Sequence, residues 1–369
     1  MKAALLRAPD EAAAYGDFAE PVVSAGHDLV TLVAAGIHPS VRSLAAGRHY
    51  GATRRWPIIP GVDAVARTAD GRLVFTGSVE APYGTLAERM AVPSTMQLPL
   101  PAGASPVAIA GGLNPGLASW MPLSARAAEL GSLGTVLILG STGMAGLLAV
   151  QNARVLGVAA VIGVGRDPDG LARAAAAGAR TVVFTGDRAA DAVTLASALQ
   201  GAVPSLVLDF VWGAPAESAF RALERHGLAE DRADIAYVQI GAAAGPEAAV
   251  PASLLRSRRI RLVGSGAGSA SIADLMRQMP IFMQLIAAGQ LAVPTRTFPL
   301  SRVAEAWEAS AQSGSRVVIV PDEALSDDSA VLCSPRGVQE RDQGRRDEGR
   351  RDEGRRDSGT RGVDGPRVV

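Results

Sequence analysis

The sequence predicts an α/β protein: a doubly wound parallel sheet preceded by an irregular, mainly β part. Three observations predict this. Five strand-like and helix-like stretches alternate through residues 135–265, the pattern of a parallel sheet covered on both faces. Residues 137–150, "LILGSTGMAGLLAV", break an apolar run with glycines at a fixed interval. Residues 1–115 carry only short β-like runs between turn residues.

In chain order, "LVTLV" at 29–33, "AVA" at 64–66 and "LVF" at 73–75 read as strands. Pro39, Gly47, "IIPGVDAV" and "SVEAPYG" mark the turns between them. Thr135–Leu139 is a run of large aliphatics, the signature of a strand buried on both faces. A helix follows from Gly143, then a strand at 159–164 and a helix near 168–177. The next strands are 181–184, 205–209 and 235–240, with helices around 189–199 and 215–226. Ile260 to Val263 adds a sixth strand. A helix near 272–288, another within "FPLSRVAEAWEAS" and a last strand, Arg316–Val320, complete the folded part. From Asp322 the composition changes. "GRRDEGRRDEGRRDSG", residues 344–359, is a charged repeat without apolar residues and is expected to be disordered.

The glycine-interrupted run lacks charge from Leu130 to Ala153, but Gly131, Gly134, Gly140, Gly143 and Gly146 make a membrane-spanning helix costly. Strand, glycine turn and helix together give G-x-x-G-x-x-G a physical meaning. The first glycine turns the chain, the second lets backbone N–H groups approach a pyrophosphate, and the third lets helix and strand pack. The candidate dinucleotide contacts are therefore Gly140, Ser141, Thr142, Gly143, Met144, Ala145 and Gly146.

The 369 residues carry no net charge, so no basic field points to nucleic acid. Cys333 is the single cysteine, which excludes an intramolecular disulfide and a cysteine-based zinc site. The first residues include Arg7, Asp10 and Glu11 and lack the apolar segment of a signal peptide, so a cytoplasmic protein without a membrane partner is expected.

Several stretches in order resemble the medium-chain dehydrogenases/reductases, specifically their zinc-free quinone oxidoreductase branch. They are "AAGIHPSVRSLAAGRHY", "PIIPGVDAVAR", "YGTLAERMAVP", "GLNPGLASWMPL", "GSTGMAG", "VLDFVWG" and "SRVVIV". The resemblance covers about residues 1–320. It implies a GroES-like β-rich domain over 1–119, a Rossmann domain over 120–265, and a return to the first domain over 266–321, with 322–369 as the disordered tail. It also implies hydride transfer to a quinone or α,β-unsaturated carbonyl, and a homodimer is the expected assembly. A catalytic zinc is not expected. The relatives that use one need a Cys/His/acid trio, and His38 stands before the "PS" turn with no cysteine before Cys333.

An NAD enzyme places Asp or Glu at the end of the second strand, about 20 residues past the glycine motif. Gly165 stands there, followed by Arg166. A glycine leaves room for a 2′-phosphate and an arginine grips it, so NADPH is expected over NADH. The other reading makes Arg166 a solvated turn residue and Asp167 the ribose partner. Tyr50, His49 and His38 are the candidate donors to the acceptor oxygen. Tyr50 is otherwise a lid. Asn114 contacts the cofactor amide or caps a turn, and Asp209 borders the cofactor crevice or bonds loop amides; the sequence leaves both open. Gly241, after the fifth strand, joins the cofactor candidates. A nucleotide-binding regulatory or scaffold protein and a zinc-dependent alcohol dehydrogenase are the alternatives.

Overall fold

The computed structural model describes residues 1–325 except Asp10, Arg54, Ala270 and Ser313. Cys333 and the charged repeat lie outside the described residues.

The chain opens with a hairpin of β1 (Lys2–Leu5) and β2 (Ala14–Asp17). The long strand β3 (His27–Gly36) leads through His38 into the short helix α1 (Pro39–Ala45), where Pro39 supplies a preset φ at the first helical position. β4 (Asp63–Arg67), β5 (Leu73–Gly77), β6 (Arg89–Pro93) and β7 (Leu98–Pro99) follow.

Helix α2 (Pro106–Leu130) was not foreseen: it runs through the expected boundary between residues 119 and 120. Pro115 and Pro122 lie inside it, and Gly111, Gly112 and Gly116 lower its intrinsic helix preference. Tertiary packing outweighs that preference. A Cβ at Gly116 would stand 2.3 Å from Phe282 Cζ, so only glycine lets the two helices meet this closely.

The parallel sheet comprises β8 (Thr135–Leu139), β9 (Ala160–Gly165), β10 (Arg180–Val183), β11 (Pro204–Asp209), β12 (Ile235–Gln239) and β13 (Ile260–Gly264). Its order is β10-β9-β8-β11-β12-β13, all parallel. The direction of winding reverses between β8 and β11, the place where open α/β sheets bind ligands. The intervening helices are α3 (Met144–Val155), α4 (Pro168–Ala176), α5 (Arg188–Leu199), α6 (Gly213–Leu223) and α7 (Ala252–Ser257). Val136 to Leu139 are fully buried, as their aliphatic run requires.

After α8 (Ile272–Ala287), β14 (Thr295–Pro299), α9 (Val303–Ala309) and β15 (Arg316–Val320) return to the first sheet. Its order is β14-β15-β3-β4-β5-β7, with β6 also on β3. β15 runs antiparallel to β3, placing Ile319 opposite Ala35. Four residues that the sequence reading assigned to the disordered tail, Asp322–Leu325, form a 3-10 turn. Asp322 there accepts hydrogen bonds from the amide and hydroxyl of Ser301. The fold is thus mixed α/β, with a parallel Rossmann-like sheet and a separate β-rich sheet. No helix among the described residues is long and apolar enough to cross a membrane.

Candidate active site

The glycine turn sits where β8 gives way to α3. Gly140 has φ +89°, a left-handed conformation that L side chains rarely adopt. Gly146 lies so close under the turn that a Cβ would meet the Gly140 carbonyl oxygen at 2.1 Å. Gly143 is the N-cap of α3 and has no side chain to bond the first helical amides. A Cβ there would meet nothing within 4 Å. No side chain caps the early amides of α3, at Met144 and Ala145, and the positive end of the helix dipole lies behind them. This arrangement fits a dinucleotide's pyrophosphate.

Two residues expected among the cofactor contacts have other roles in this geometry. Ser141 is fully buried, and its hydroxyl and amide both donate to the Val164 carbonyl, at 3.2 and 2.9 Å. Thr142 packs onto the end of β9. A Cβ at Gly165 would stand 2.2 Å from the Thr142 methyl. The missing side chain at Gly165 thus makes space for Thr142, where the sequence reading gave that space to a 2′-phosphate. Together the pair ties the glycine turn to β9 and leaves the first amides of α3 without a side-chain cap.

Arg166, the next residue, is exposed and has no hydrogen bond or ion pair to any other described residue. Asp167 is the N-cap of α4: its carboxylate accepts from the Gly170 amide at 2.9 Å and lies 3.5 Å from the Arg173 guanidinium. The carboxylate is committed locally, while the guanidinium is free.

Asp209 closes β11 and is wholly buried. Its Oδ1 accepts from the amides of Val211 and Trp212 at 2.9 and 2.8 Å, and its Oδ2 from the Tyr237 hydroxyl at 2.6 Å. Burial pushes this carboxyl above its ordinary range, opposed by those hydrogen bonds. The bonds hold Trp212 at φ +54°, so Asp209 shapes the loop bordering the crevice and does not project into it. Gly241 backs this loop: a Cβ there would stand 2.4 Å from the Phe210 carbonyl oxygen.

The other wall comes from the β-rich side. His49 and Tyr50 stack with ring centroids 4.1 Å apart, and His49 Nδ1 accepts from the Gly51 amide. The Tyr50 side chain is exposed, and its hydroxyl reaches toward the loop after β13. A Cβ on Gly266 would stand 3.2 Å from that oxygen.

His38 is buried, with Nε2 3.1 Å from Asp63 Oδ1. An ionised carboxylate only accepts, so the Nε2–H of His38 donates to Asp63. Nδ1 has no partner. The sequence reading offered His38 as a donor to the acceptor oxygen; in this geometry the ring is buried and its Nε2 is engaged with Asp63. Asn114, on α2, donates through Nδ2 to Asp63 Oδ2 at 2.8 Å and caps no turn. Asp63 was missed. Its partners lie 25 and 51 residues away in sequence, and no local pattern brings them together. Among the described residues no group of three His, Cys, Asp or Glu side chains is placed to hold a metal ion.

Beside these residues, α1 and the segments around Ile58 and Val79 enclose a cavity of about 420 Å³. Val41, Leu44, Ile59 and Val62 contribute an apolar lining.

No family model matches the chain. It is 35% identical over 226 residues to a probable NADPH-dependent quinone reductase of Emericella nidulans, a match spanning 58% of this chain. The match covers 62% of that relative's length, a little under two thirds. The fold resembles the quinone oxidoreductase of Thermus thermophilus, with a TM-score of 0.69 and 27% identity over 87% of this chain and the whole of that one. A mycobacterial protein solved in complex with NADPH has a TM-score of 0.71 at 20% identity, again over 87% of this chain and all of that one. An alcohol dehydrogenase superfamily protein from Novosphingobium aromaticivorans gives 0.70 at 21% identity, with the same coverage. The parallel sheet with its glycine turn, the returning strands and these similarities give the chain the fold of the solved quinone oxidoreductases.

Proposed function

We propose that the protein is an NADPH-dependent oxidoreductase that passes hydride to a quinone or an α,β-unsaturated carbonyl. The observation that carries this reading is the free Arg166 guanidinium beside an uncapped glycine turn. The turn amides bind the pyrophosphate and Arg166 binds the 2′-phosphate. When bound, NADPH supplies the hydride. The chain's own residues orient both reactants and exclude water.

Tyr50 covers the reacting end and offers its hydroxyl to the acceptor oxygen as charge develops there. The cavity beneath α1, with Val41, Leu44, Ile59 and Val62 in its lining, receives the flat body of the acceptor. An electron-poor acceptor takes hydride without a Lewis acid, so the proposed reaction is independent of metal. The match with the quinone reductase of Emericella nidulans supports the acceptor class.

We further infer a cytoplasmic homodimer. β13 forms one edge of the parallel sheet, with Val263 half exposed on it, and a second copy can pair there.

The test is NADPH oxidation by the purified protein against quinones, enones and simple aldehydes, with NADH in parallel and zinc measured by elemental analysis. Turnover with NADPH and a quinone or enone, without stoichiometric zinc, is the expected result. NADPH binding without turnover on any acceptor favours a scaffold role. Activity lost together with a bound zinc favours an alcohol dehydrogenase. Sedimentation of the same sample distinguishes dimer from monomer.

A further inference from the structure

Asp63 stands at the first position of β4 with its side chain almost fully buried. Its carboxylate is divided between two partners, His38 on Oδ1 and Asn114 on Oδ2. Its backbone carbonyl accepts from the Thr85 hydroxyl at 2.9 Å. Behind it, a Cβ at Gly77 would lie 3.3 Å from Asp63 Cα, so β5 packs directly against the residue. Rotating the carboxylate breaks both side-chain bonds at once.

This fixes Asn114. Because an ionised carboxylate accepts and does not donate, the Asn114 amide must turn its N–H2 toward Asp63. Its Oδ1 then points away, and it has no hydrogen-bond partner among the described residues. Asn114 is exposed on α2 at a particular height. One turn earlier, the Ala110 carbonyl lies against Gly36, beside His38. Two residues later, the Gly116 carbonyl accepts from Asn152 of α3. Asn114 thus stands on α2 between its contact with β3 of the β-rich sheet and its contact with α3, the helix that follows the glycine turn.

We propose that Asp63 is a positioning residue that sets the polarity of Asn114, so that the crevice presents a hydrogen-bond acceptor to the carboxamide N–H2 of a nicotinamide ring. The proposal rests on the nicotinamide-nucleotide reading given above. A flipped Asn114 would set its own N–H2 against that of the carboxamide, two donors face to face. Asp63 prevents the flip without touching the nucleotide.

The test uses equilibrium binding of three probes to the purified full chain. They are NADP⁺, its 3-acetylpyridine analogue, in which a methyl group replaces the carboxamide N–H2, and 2′,5′-ADP, which lacks the nicotinamide. The parent should prefer NADP⁺ over the analogue by about tenfold, the value of one hydrogen bond. Asp63→Asn and Asn114→Ala should each bring that ratio close to one and leave 2′,5′-ADP affinity unchanged. A merely structural role for Asp63 would weaken all three probes together. Equal binding of the two dinucleotides by the parent overturns the proposal, as does an Asp63→Asn protein that keeps the preference. Should Asp63→Asn fail to fold, a retained preference in Asn114→Ala overturns it. A parent that binds neither NADP⁺ nor 2′,5′-ADP overturns the cofactor reading and this proposal with it. A parent that binds both, with the preference unmoved by substitution, overturns this proposal alone.

Discussion

Tyr237 donates its hydroxyl hydrogen to Asp209 at 2.6 Å between two neighbouring strands of the parallel sheet, where both side chains are buried. Burial raises the Asp209 carboxyl above its ordinary value and pushes the tyrosine hydroxyl well above its own. A raised folded-state value means that stability is fully present below the ordinary carboxylate range, near 4, and is lost as pH rises through the folded value. The hydrogen bond from Tyr237 moderates that loss by favouring the charged form. Tyr237→Phe should therefore cost about 1.5–3 kcal/mol at neutral pH. The cost should shrink as pH falls through the raised Asp209 value, where the carboxyl takes up its proton. Urea unfolding of both proteins across this range checks the sign. A cost that grows on acidification contradicts it.

Arg166 carries the second prediction. Its guanidinium is exposed and free, while Asp167 is held at the N-cap of α4. The parent should bind NADPH more tightly than NADH. Arg166→Ala should reduce that preference by roughly tenfold or more, the loss of one charge-assisted hydrogen bond. The difference should narrow with added salt, because the guanidinium is exposed to solvent. Equal affinities for the two nucleotides in the parent, at matched ionic strength, remove the role assigned to Arg166.

The sheet that holds Arg166 was legible because its signals are local. An aliphatic run, a glycine, and an amphipathic stretch recur at short range from Thr135–Leu139 to Ile260–Gly264, and each strand appears within a residue or two of its expected place. Helix α2 was hidden because its glycines and prolines signal turns, while their actual cause is close packing against Phe282 and the segment around Val293. The same limit applied at the site. The turn could be found from the glycine spacing, but Ser141 and Thr142 look like phosphate ligands until β9 is seen beneath them. Asp63 looked like part of a turn because its partners arrive from α1 and α2, through folding rather than spacing.

The fit between Thr142 and Gly165 gives the third prediction. A Cβ at position 165 would overlap the Thr142 methyl at 2.2 Å and approach Leu171 at 3.2 Å. Gly165→Ala should destabilise the protein by about 1–3 kcal/mol, the usual cost of overpacking. It should also weaken nucleotide binding by shifting the glycine turn. Thr142→Ala removes the methyl that the new Cβ meets, so the double variant should recover a large part of both losses. Thermal unfolding and NADPH titration of the four proteins form a double-mutant cycle. Strict additivity would show that the two positions do not share this contact.

Tyr50 provides the last prediction because its exposure separates stability from chemistry. The side chain is 75% exposed and touches the folded core little. Tyr50→Phe should therefore change stability by less than about 0.5 kcal/mol. The phenylalanine ring can still stack on His49 and cover the crevice beside Gly266, so NADPH affinity should hold. Only the hydroxyl is lost, and with it the hydrogen bond proposed to meet the developing negative charge on the acceptor. Turnover should fall about tenfold or more, with little change in NADPH binding, the pattern of an interaction made chiefly in the transition state. Steady-state kinetics with a quinone and an enone separate the terms. Parent-level turnover with every acceptor would make Tyr50 a cover and nothing more. A rise in KM for NADPH at unchanged kcat would instead assign the hydroxyl to the cofactor.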